Sequence, residues 1–218
     1  TTDLAKKIAD EYGVKLIDVL TGFKFIGEQI GFLEAKGQEN RYIFGFEESY
    51  GYLAGSYVRD KDAVVASMLI CEMAAFYRTK GISLLQAREN MYNKYGVYLH
   101  SQKSFTCEGA TGMERMKEIM ADLRTNTPKT IGGLSVTKFD DYMAGTSVDT
   151  ATGAKTMLTL PKSDVLTFTL TDGASVVIRP SGTEPKIKAY FTTTGETQAA
   201  AQELQTKIAD DFTRILGF

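Results

Sequence analysis

Residues 175–192 read SVVIRPSGTEPKIKAYFT, and this stretch is the most informative part of the second half of the chain. Its ends are apolar and β-branched, which predicts strands over 175–179 and 187–192. Between them lies a loop with two prolines and a glycine, residues that are typical of turns rather than of helices. The pattern therefore predicts two antiparallel strands that present a stiff, polar loop.

On both sides of this stretch, the second half of the chain alternates between helical and strand patterns. A capping-box sequence at Thr111–Glu114 opens one helix, and Thr197 opens another with apolar residues four apart. The predicted elements are a strand over 97–107, a helix over 111–125, strands over 134–139 and 166–170, a long surface loop over 140–161 and a helix over 197–216. We therefore predict a small α+β domain over residues 106–218.

The first half is richer in helix. The predicted elements are a helix over 2–13, a strand over 14–20, a helix over 25–35, a strand over 41–46 and helices over 62–80 and 83–95. The 62–80 helix is apolar on nearly every side, so we expect it to be sandwiched between other elements. Strands interleaved with helices predict an α/β domain over residues 1–105, with a mixed sheet between helices.

Composition excludes several classes of function. The 218 residues carry a net charge of −2 without a basic block, which argues against nucleic-acid binding. No apolar run reaches the length of a membrane span, so no membrane association is expected. Cys71 and Cys107 form no CxxC pair, which favours a reducing cytoplasm. His100 is the single histidine and stands apart from the cysteines, so no zinc or other metal site is expected in this chain.

The loop that begins at Arg179 has the chemistry of an anion site. RPSGTEPK supplies a guanidinium fork, two hydroxyls and a glycine that lets backbone N–H groups turn towards a ligand. Lys186 and Lys188 add positive potential, and the prolines reduce the entropy that the loop would lose on binding. The alternative is a β-turn with incidental charge, and we favour a phosphate site.

Two loops in the first half carry further candidates. TGFK, residues 21–24, follows a predicted strand, where α/β proteins bind ligands, although an ordinary strand-to-helix turn is the favoured explanation of this stretch taken alone. GFEESYG, residues 45–51, places two carboxylates and a hydroxyl between glycines. Carboxylates suit hydrogen bonds to vicinal sugar hydroxyls, and the alternative is a solvated turn. Adjacent side chains in an extended chain point to opposite faces, so the two carboxylates do not form an acid–base pair.

Together, TGFKFIG at 21–27, GFEESYG at 45–51 and RPSGTEPK at 179–186 resemble the α-D-phosphohexomutase family. That family has four domains around one cleft. The resemblance covers essentially the whole chain and implies most of the third domain, an α/β domain, followed by all of the fourth, a smaller domain with an antiparallel sheet and two helices. Both agree with the fold classes predicted above.

The resemblance implies an activity for a longer protein. Such an enzyme interconverts glucose 1-phosphate and glucose 6-phosphate through glucose 1,6-bisphosphate, by means of a phosphoserine and a Mg²⁺ bound on an aspartate-rich loop. Neither the serine loop nor a DGDGDR-type loop occurs in this chain, which begins Thr1-Thr2-Asp3 without Met. We therefore expect both to lie upstream, the upstream domains and a hexose phosphate to be the partners, and the isolated chain to be inactive.

The resemblance also implies roles for individual residues. Glu47 and Ser49 would bind the O3 and O4 hydroxyls of the sugar, and Thr21 would touch the ligand. Lys61 would reach a phosphate or transfer a proton, the alternative being a surface lysine near a helix start. The phosphate that is not reacting would be held by Arg179, Ser181, Gly182 and Thr183. Two other functions stay open: a non-catalytic sugar-phosphate-binding module, or an interaction domain in which these loops are turns.

Overall fold

A computed structural model describes residues 2–20, 22–47, 50–109, 111–182 and 184–218. The chain divides into two compact units between Lys94 and Tyr95. No helix in the described ranges is long and apolar enough to cross a membrane. The N-terminal unit mixes helices with strands and the C-terminal unit is an antiparallel sheet with two helices, so the predicted fold classes are confirmed.

Two helices of the N-terminal unit, the second and the third, contact a short hairpin. Its elements are α1 (Leu4–Glu11), α2 (Phe23–Glu34), β1 (Phe44–Glu47), β2 (Gly51–Ala54), α3 (Ala63–Thr79) and α4 (Leu84–Tyr95). β1 and β2 pair antiparallel, with Glu47 opposite Gly51. Phe23 and Ile30 on α2 pack with Leu53 on β2, and these three side chains are at most 4% exposed. This small core fixes the hairpin against α2.

The strand expected over 14–20 does not form. These residues make no strand ladder with any described segment, and Val14, Leu16 and Ile17 are 36–48% exposed. A strand is held by hydrogen bonds and side-chain contacts to a neighbouring strand, so an apolar, β-branched sequence specifies one only where a partner is present. The residues of this segment are of the types found in strands, but the predicted strand is wrong because no described segment pairs with it.

Helix α3 forms where it was predicted, but its surroundings differ from the prediction. None of its described residues is buried, and Val64, Met68 and Phe76 are more than half exposed. The helix contacts β2, which covers one side of it. Apolar residues spread around a helix show that it can be buried on several sides, but they do not supply the elements that would cover it.

Acid is expected to loosen the first turn of α3. The Asp62 carboxylate accepts the Tyr57 hydroxyl and the N–H groups of Val64 (2.8 Å) and Val65 (3.1 Å). These bonds, that of Tyr57 first, lower the pKa of Asp62. A carboxylate whose pKa is lower in the folded state stabilises that state at neutral pH. The stabilisation disappears as the pH falls through the folded pKa, below about 4.

The pH dependence of the Val64 and Val65 amide shifts measures this effect. In the wild-type chain both should titrate below about pH 4, whereas an Asp62→Asn variant, which can still cap the helix, should show no such transition. Identical curves for the two proteins would show that Asp62 is not the group that titrates.

The C-terminal unit is built on one antiparallel sheet. Its elements are β3 (Val97–Thr106), α5 (Gly112–Thr125), β4 (Thr130–Ile131), β5 (Leu134–Asp141), β6 (Thr146–Asp149), β7 (Lys155–Met157), β8 (Leu166–Leu170), β9 (Ser175–Pro180), β10 (Lys186–Gly195) and α6 (Gln198–Ile215). The strand order is β3-β10-β9-β8-β5-β6-β7, and β4 pairs with β5. The loop that begins at Arg179 therefore joins two neighbouring strands near the middle of the sheet.

One face of this sheet forms the core with the two helices. Alternate residues of β8, β9 and β10 are buried, and they pack with apolar residues of α5 and α6. The aromatic centre consists of Phe168, Phe191 and Phe212, each at most 1% exposed. The opposite face carries the remaining residues of each strand, including Arg179, Lys188 and Tyr190, which are half-buried. The alternation therefore places these polar side chains together on the face away from the helices.

Two boundaries differ from the sequence-based expectation. The compact units divide after Lys94 rather than at 105/106, because β3 pairs with β10 from Val97 to Thr106 and so belongs to the C-terminal sheet. The segment 140–161 was predicted as a long loop, but it contains β6 and β7. Its many Gly and Asp residues form tight turns. Asp141, for example, accepts hydrogen bonds from two N–H groups of the turn that follows it.

Candidate functional site

The loop between β9 and β10 is closed by its own hydrogen bonds. The Ser181 N–H donates to the Lys186 carbonyl (2.7 Å), and the Lys186 N–H donates to the Glu184 carbonyl (2.7 Å). The Glu184 N–H donates to the Ser181 hydroxyl oxygen (3.3 Å). A residue outside the loop also contributes, because the N–H of Cys107, which follows β3, donates to the Pro185 carbonyl (2.8 Å). These bonds hold Ser181 and residues 184–186 in place, so little ordering of these residues would remain to be done when a ligand binds.

Two cations at the base of this loop face each other. Arg179 on β9 is the direct partner of Lys188 on β10. Lys186 is paired with Glu184 (3.3 Å), but within the described ranges neither Arg179 nor Lys188 has a carboxylate partner. Like charges opposite each other in a sheet are destabilising. An anion bound between them would relieve this repulsion, so the arrangement suits a phosphate group.

The hairpin of the N-terminal unit brings Glu47 close to Lys61. The Lys61 Nζ lies 3.9 Å from Glu47 Oε1 and 3.2 Å from Asp60 Oδ1, and 5.5 Å from the centre of the Phe23 ring. The side chain of Glu47 is 15% exposed and that of Lys61 is 47% exposed. A carboxylate and an ammonium group side by side can accept from and donate to neighbouring hydroxyls, which suits a polyhydroxy ligand.

Gly51 leaves the space in which this pair meets. A Cβ at Gly51 would lie 2.6 Å from Lys61 Cδ and 2.7 Å from Glu47 Cγ and Oε1. Non-bonded atoms do not approach a Cβ so closely, so the side chains of Lys61 and Glu47 would both have to move. The sequence shows only a glycine in a loop, and the hairpin register explains why that glycine is required.

Replacing Gly51 with alanine is expected to displace the Glu47–Lys61 pair. Such overpacking should lower the free energy of unfolding of the N-terminal unit by about 1–3 kcal/mol, measured by chemical denaturation. Gly31 is the matched control, because a Cβ there would meet nothing within 4 Å and the residue lies inside α2. Gly31→Ala should raise that free energy by about 0.5–1 kcal/mol. Equal effects of the two substitutions would contradict this account of Gly51.

The sequence-based site residues are located only in part. Thr21, Ser49 and Thr183 lie outside the described residues. Glu47 and Lys61 come together in the N-terminal unit, while Arg179 lies at the end of β9 in the C-terminal unit and Ser181 and Gly182 follow it in the loop. Gly182 is exposed, and a Cβ there would meet nothing within 4 Å, so open space adjoins the loop.

One contact was missed by the sequence analysis. The Tyr190 hydroxyl oxygen accepts a hydrogen bond from Arg179 Nε at 3.2 Å. The predicted strands already placed both residues on adjacent strands, but they did not show whether the two side chains share a face. What was missing was the register, because a shift of one residue moves every side chain to the other face.

The described residues do not form a metal-binding site. Across the described ranges, no group of three or more His, Cys, Asp or Glu side chains is placed to hold an ion. Asp140 and Asp141, an acidic pair in the sequence, are bound to other groups. Asp140 pairs with Lys138 (3.0 Å) and Asp141 pairs with Arg124 (3.1 Å).

Two family profiles match the chain. Residues 1–95 match the profile described as phosphoglucomutase/phosphomannomutase, alpha/beta/alpha domain III. Residues 108–211 match phosphoglucomutase/phosphomannomutase, C-terminal domain. Between them the two profiles account for nearly the whole chain, in the order that the family has.

Curated relatives agree with these profiles. A phosphoglucomutase of Staphylococcus saprophyticus is 37% identical over 192 residues, which cover 88% of this chain and 34% of that protein. One of Staphylococcus epidermidis is 38% identical over 189 residues, covering 87% and 34%. The chain therefore spans about a third of the length of the curated relatives it matches.

A solved structure supports the fold. The open form of pp63/parafusin, a phosphoglucomutase from Paramecium, matches with a TM-score of 0.68 at 21% sequence identity. The match covers 99% of this chain and 36% of the Paramecium chain. At this identity the likeness concerns the fold alone.

Proposed function

Because this chain belongs to the phosphoglucomutase/phosphomannomutase family and matches its third and C-terminal domains, we propose that it is the recognition part of a phosphohexomutase. The proposed enzyme interconverts glucose 1-phosphate and glucose 6-phosphate through glucose 1,6-bisphosphate. The chain's share is to bind and orient the phosphosugar. The observation that carries this proposal is the pair of cations Arg179 and Lys188, neither of which has a carboxylate partner among the described residues. The pair lies beside a loop whose described residues are held by hydrogen bonds.

The proposed phosphate site works by charge and shape. Arg179 supplies a planar set of N–H donors, which match two oxygens of one phosphate, and Lys188 adds a second positive charge opposite it. The Ser181 hydroxyl and the N–H of Gly182 lie on the same loop and complete the proposed donor set, together with Thr183. The phosphate held here is the one that does not react. Holding it fixes the distance from the loop to the reacting end of the sugar.

The proposed sugar site is the Glu47 hairpin. A carboxylate can accept hydrogen bonds from two adjacent hydroxyls, here O3 and O4, with Ser49 as a second partner. Thr21 is proposed to contact the same ligand. Lys61, 3.9 Å from Glu47, keeps the carboxylate compensated before the ligand arrives and offers its own N–H donors afterwards. The O3 and O4 hydroxyls present themselves similarly in both orientations of a bisphosphate, so one loop can serve both half-reactions.

The phosphoryl transfer itself is proposed to use groups outside this chain. The sequence holds neither a serine loop nor an aspartate-rich loop of the family type. No metal cluster is present among the described residues, so no step proposed for this chain passes through Mg²⁺. We propose that the phosphoserine and the Mg²⁺ belong to further domains of the same protein, and that the protein acts in the cytoplasm.

An activity assay tests this proposal. The chain alone should bind glucose 1,6-bisphosphate and should fail to convert glucose 1-phosphate into glucose 6-phosphate. A longer protein that contains this chain should carry out the conversion. If that longer protein binds phosphosugars but shows no conversion, the alternative of a non-catalytic sugar-phosphate-binding module replaces the mutase.

A further inference from the structure

A tyrosine on the open face of the C-terminal sheet holds the arginine of the proposed phosphate site. Val177 on β9 is the direct partner of Tyr190 on β10, and Arg179 lies two residues beyond Val177 on the same face. Tyr190 is therefore the diagonal neighbour of Arg179, a position that long and aromatic side chains can bridge. Its hydroxyl oxygen accepts from Arg179 Nε at 3.2 Å, and the guanidinium carbon lies 5.8 Å from the ring centre.

Arg179 needs such a support. Its direct cross-strand partner is Lys188, which repels it, and the guanidinium is on a long side chain with many rotamers. Within the described ranges, the Arg179 guanidinium has no carboxylate partner, and it donates a hydrogen bond to the Tyr190 hydroxyl alone. Without Tyr190 the side chain would sample several directions, most of them away from Lys188. The tyrosine therefore limits where the positive charge can be.

The bond also decides which N–H groups remain for a ligand. A guanidinium can take two oxygens of a phosphate side-on, through Nε and one Nη, or end-on, through both Nη groups. Because Tyr190 occupies Nε, the side-on mode is blocked and the two Nη groups are left available. The two phosphate oxygens that Arg179 binds would then lie in line with the end of the guanidinium rather than beside Nε.

We propose that Tyr190 is a positioning residue for the phosphate site: it fixes Arg179 so that both Nη groups bind the non-reacting phosphate end-on. This inference rests on the proposed function in naming phosphate as the ligand. The orientation of Arg179 in the free chain can be tested without any ligand. Tyr190 acts through Arg179 and is not itself assigned a contact with the substrate.

The test compares the whole 218-residue chain with a Tyr190→Phe variant, which keeps the ring and loses the hydroxyl. The first readout is the Arg179 Nε–Hε NMR signal of the free proteins. We expect a slowly exchanging, shifted signal in the wild-type chain and a signal that moves and broadens in Tyr190→Phe. The second readout is the dissociation constant of glucose 1,6-bisphosphate, which should rise about three- to tenfold, the range for one lost hydrogen bond.

Two further variants exclude a general structural effect. Thr192→Val removes a hydroxyl from the same face of the same strand, where Thr192 contacts His100 at 3.1 Å, and should leave both readouts unchanged. Arg179→Lys has no Nε donor, so adding Tyr190→Phe to it should not weaken binding further. An equal loss in the Arg179→Lys background would overturn the inference, because the tyrosine would then act on the sheet rather than on the guanidinium.

The outcomes separate this inference from the proposed function. An unchanged Arg179 Nε–Hε signal in Tyr190→Phe overturns the positioning role, whether or not the ligand binds. If that signal changes as expected but glucose 1,6-bisphosphate fails to bind the wild-type chain, the proposed function of this loop fails while Tyr190 still orients the arginine. If the signal changes and affinity falls as expected, both are supported.

Discussion

Replacing Arg179 with alanine is expected to weaken the binding of glucose 1,6-bisphosphate to this chain by roughly ten- to a hundredfold. The planar fork of arginine can make two hydrogen bonds to one phosphate, and because the site is open to water we expect their loss to cost about as much as one hydrogen bond to a charged group, about 1.5–3 kcal/mol. Lys188 remains on the opposite strand and keeps part of the attraction, so binding is weakened rather than abolished. Isothermal titration calorimetry of the two proteins measures the ratio of dissociation constants.

The matched control for this variant is Arg214→Ala. Arg214 is in the same unit, on helix α6, where it pairs with Asp211 and is 76% exposed. It removes the same charge from the side of the sheet opposite to the proposed site, so affinity should stay within about twofold at physiological salt, since exposed distant charges are screened. Similar losses in both variants would mean that net charge, and not the Arg179 site, controls binding.

Replacing Phe168 with alanine is expected to cost the C-terminal unit about 3–5 kcal/mol of its free energy of unfolding. Phe168 is fully buried, with ring centres 5.3 Å from Phe139 and 5.8 Å from Phe212. Truncation removes apolar contacts on both sides and leaves a cavity between the sheet and α6. Since a domain is stable by only about 5–15 kcal/mol, this unit should come close to unfolding.

Chemical denaturation followed by the amide signals of β8–β10 measures the loss. Met157→Ala is the control, because Met157 lies on the edge strand β7 and is 76% exposed. Its effect should stay within about 0.5 kcal/mol. A loss of less than about 1 kcal/mol in Phe168→Ala would show that the aromatic centre is not what stabilises this sheet.

The sequence was most informative where local chemistry decides the structure. The capped helix at Asp62 and the strands around Arg179 form as predicted, because a cap, a period and a turn act over a few residues. It was least informative where distant segments decide. The unpaired segment 14–20, the exposure of α3 and the place of β3 in the second sheet all depend on partners that are far away in the sequence or absent from the described part.

The candidate site shows the same division. The loop proposed to bind phosphate and the acidic hairpin could be picked out from residue types alone. The contacts that give them shape could not, because Lys61 is fourteen residues from Glu47 in the sequence and meets it only across Gly51. Likewise Tyr190 meets Arg179 only through the register of β9 and β10. The residue types indicate where a site could lie, and the register of the strands determines which side chains meet there.

The proposed function requires this chain to bind a phosphosugar, with the Arg179 loop contacting the phosphate and the Glu47 hairpin contacting the hydroxyls. An NMR titration with glucose 1,6-bisphosphate tests it most directly, following the amides of Gly182 and Glu47, with inorganic phosphate titrated in parallel. We expect the bisphosphate to shift both amide signals, even at millimolar affinity, and phosphate alone to shift that of Gly182 and leave that of Glu47 unchanged. If neither amide signal shifts at saturating bisphosphate, in a chain whose spectrum shows that it is folded, the proposed binding of the phosphosugar is wrong.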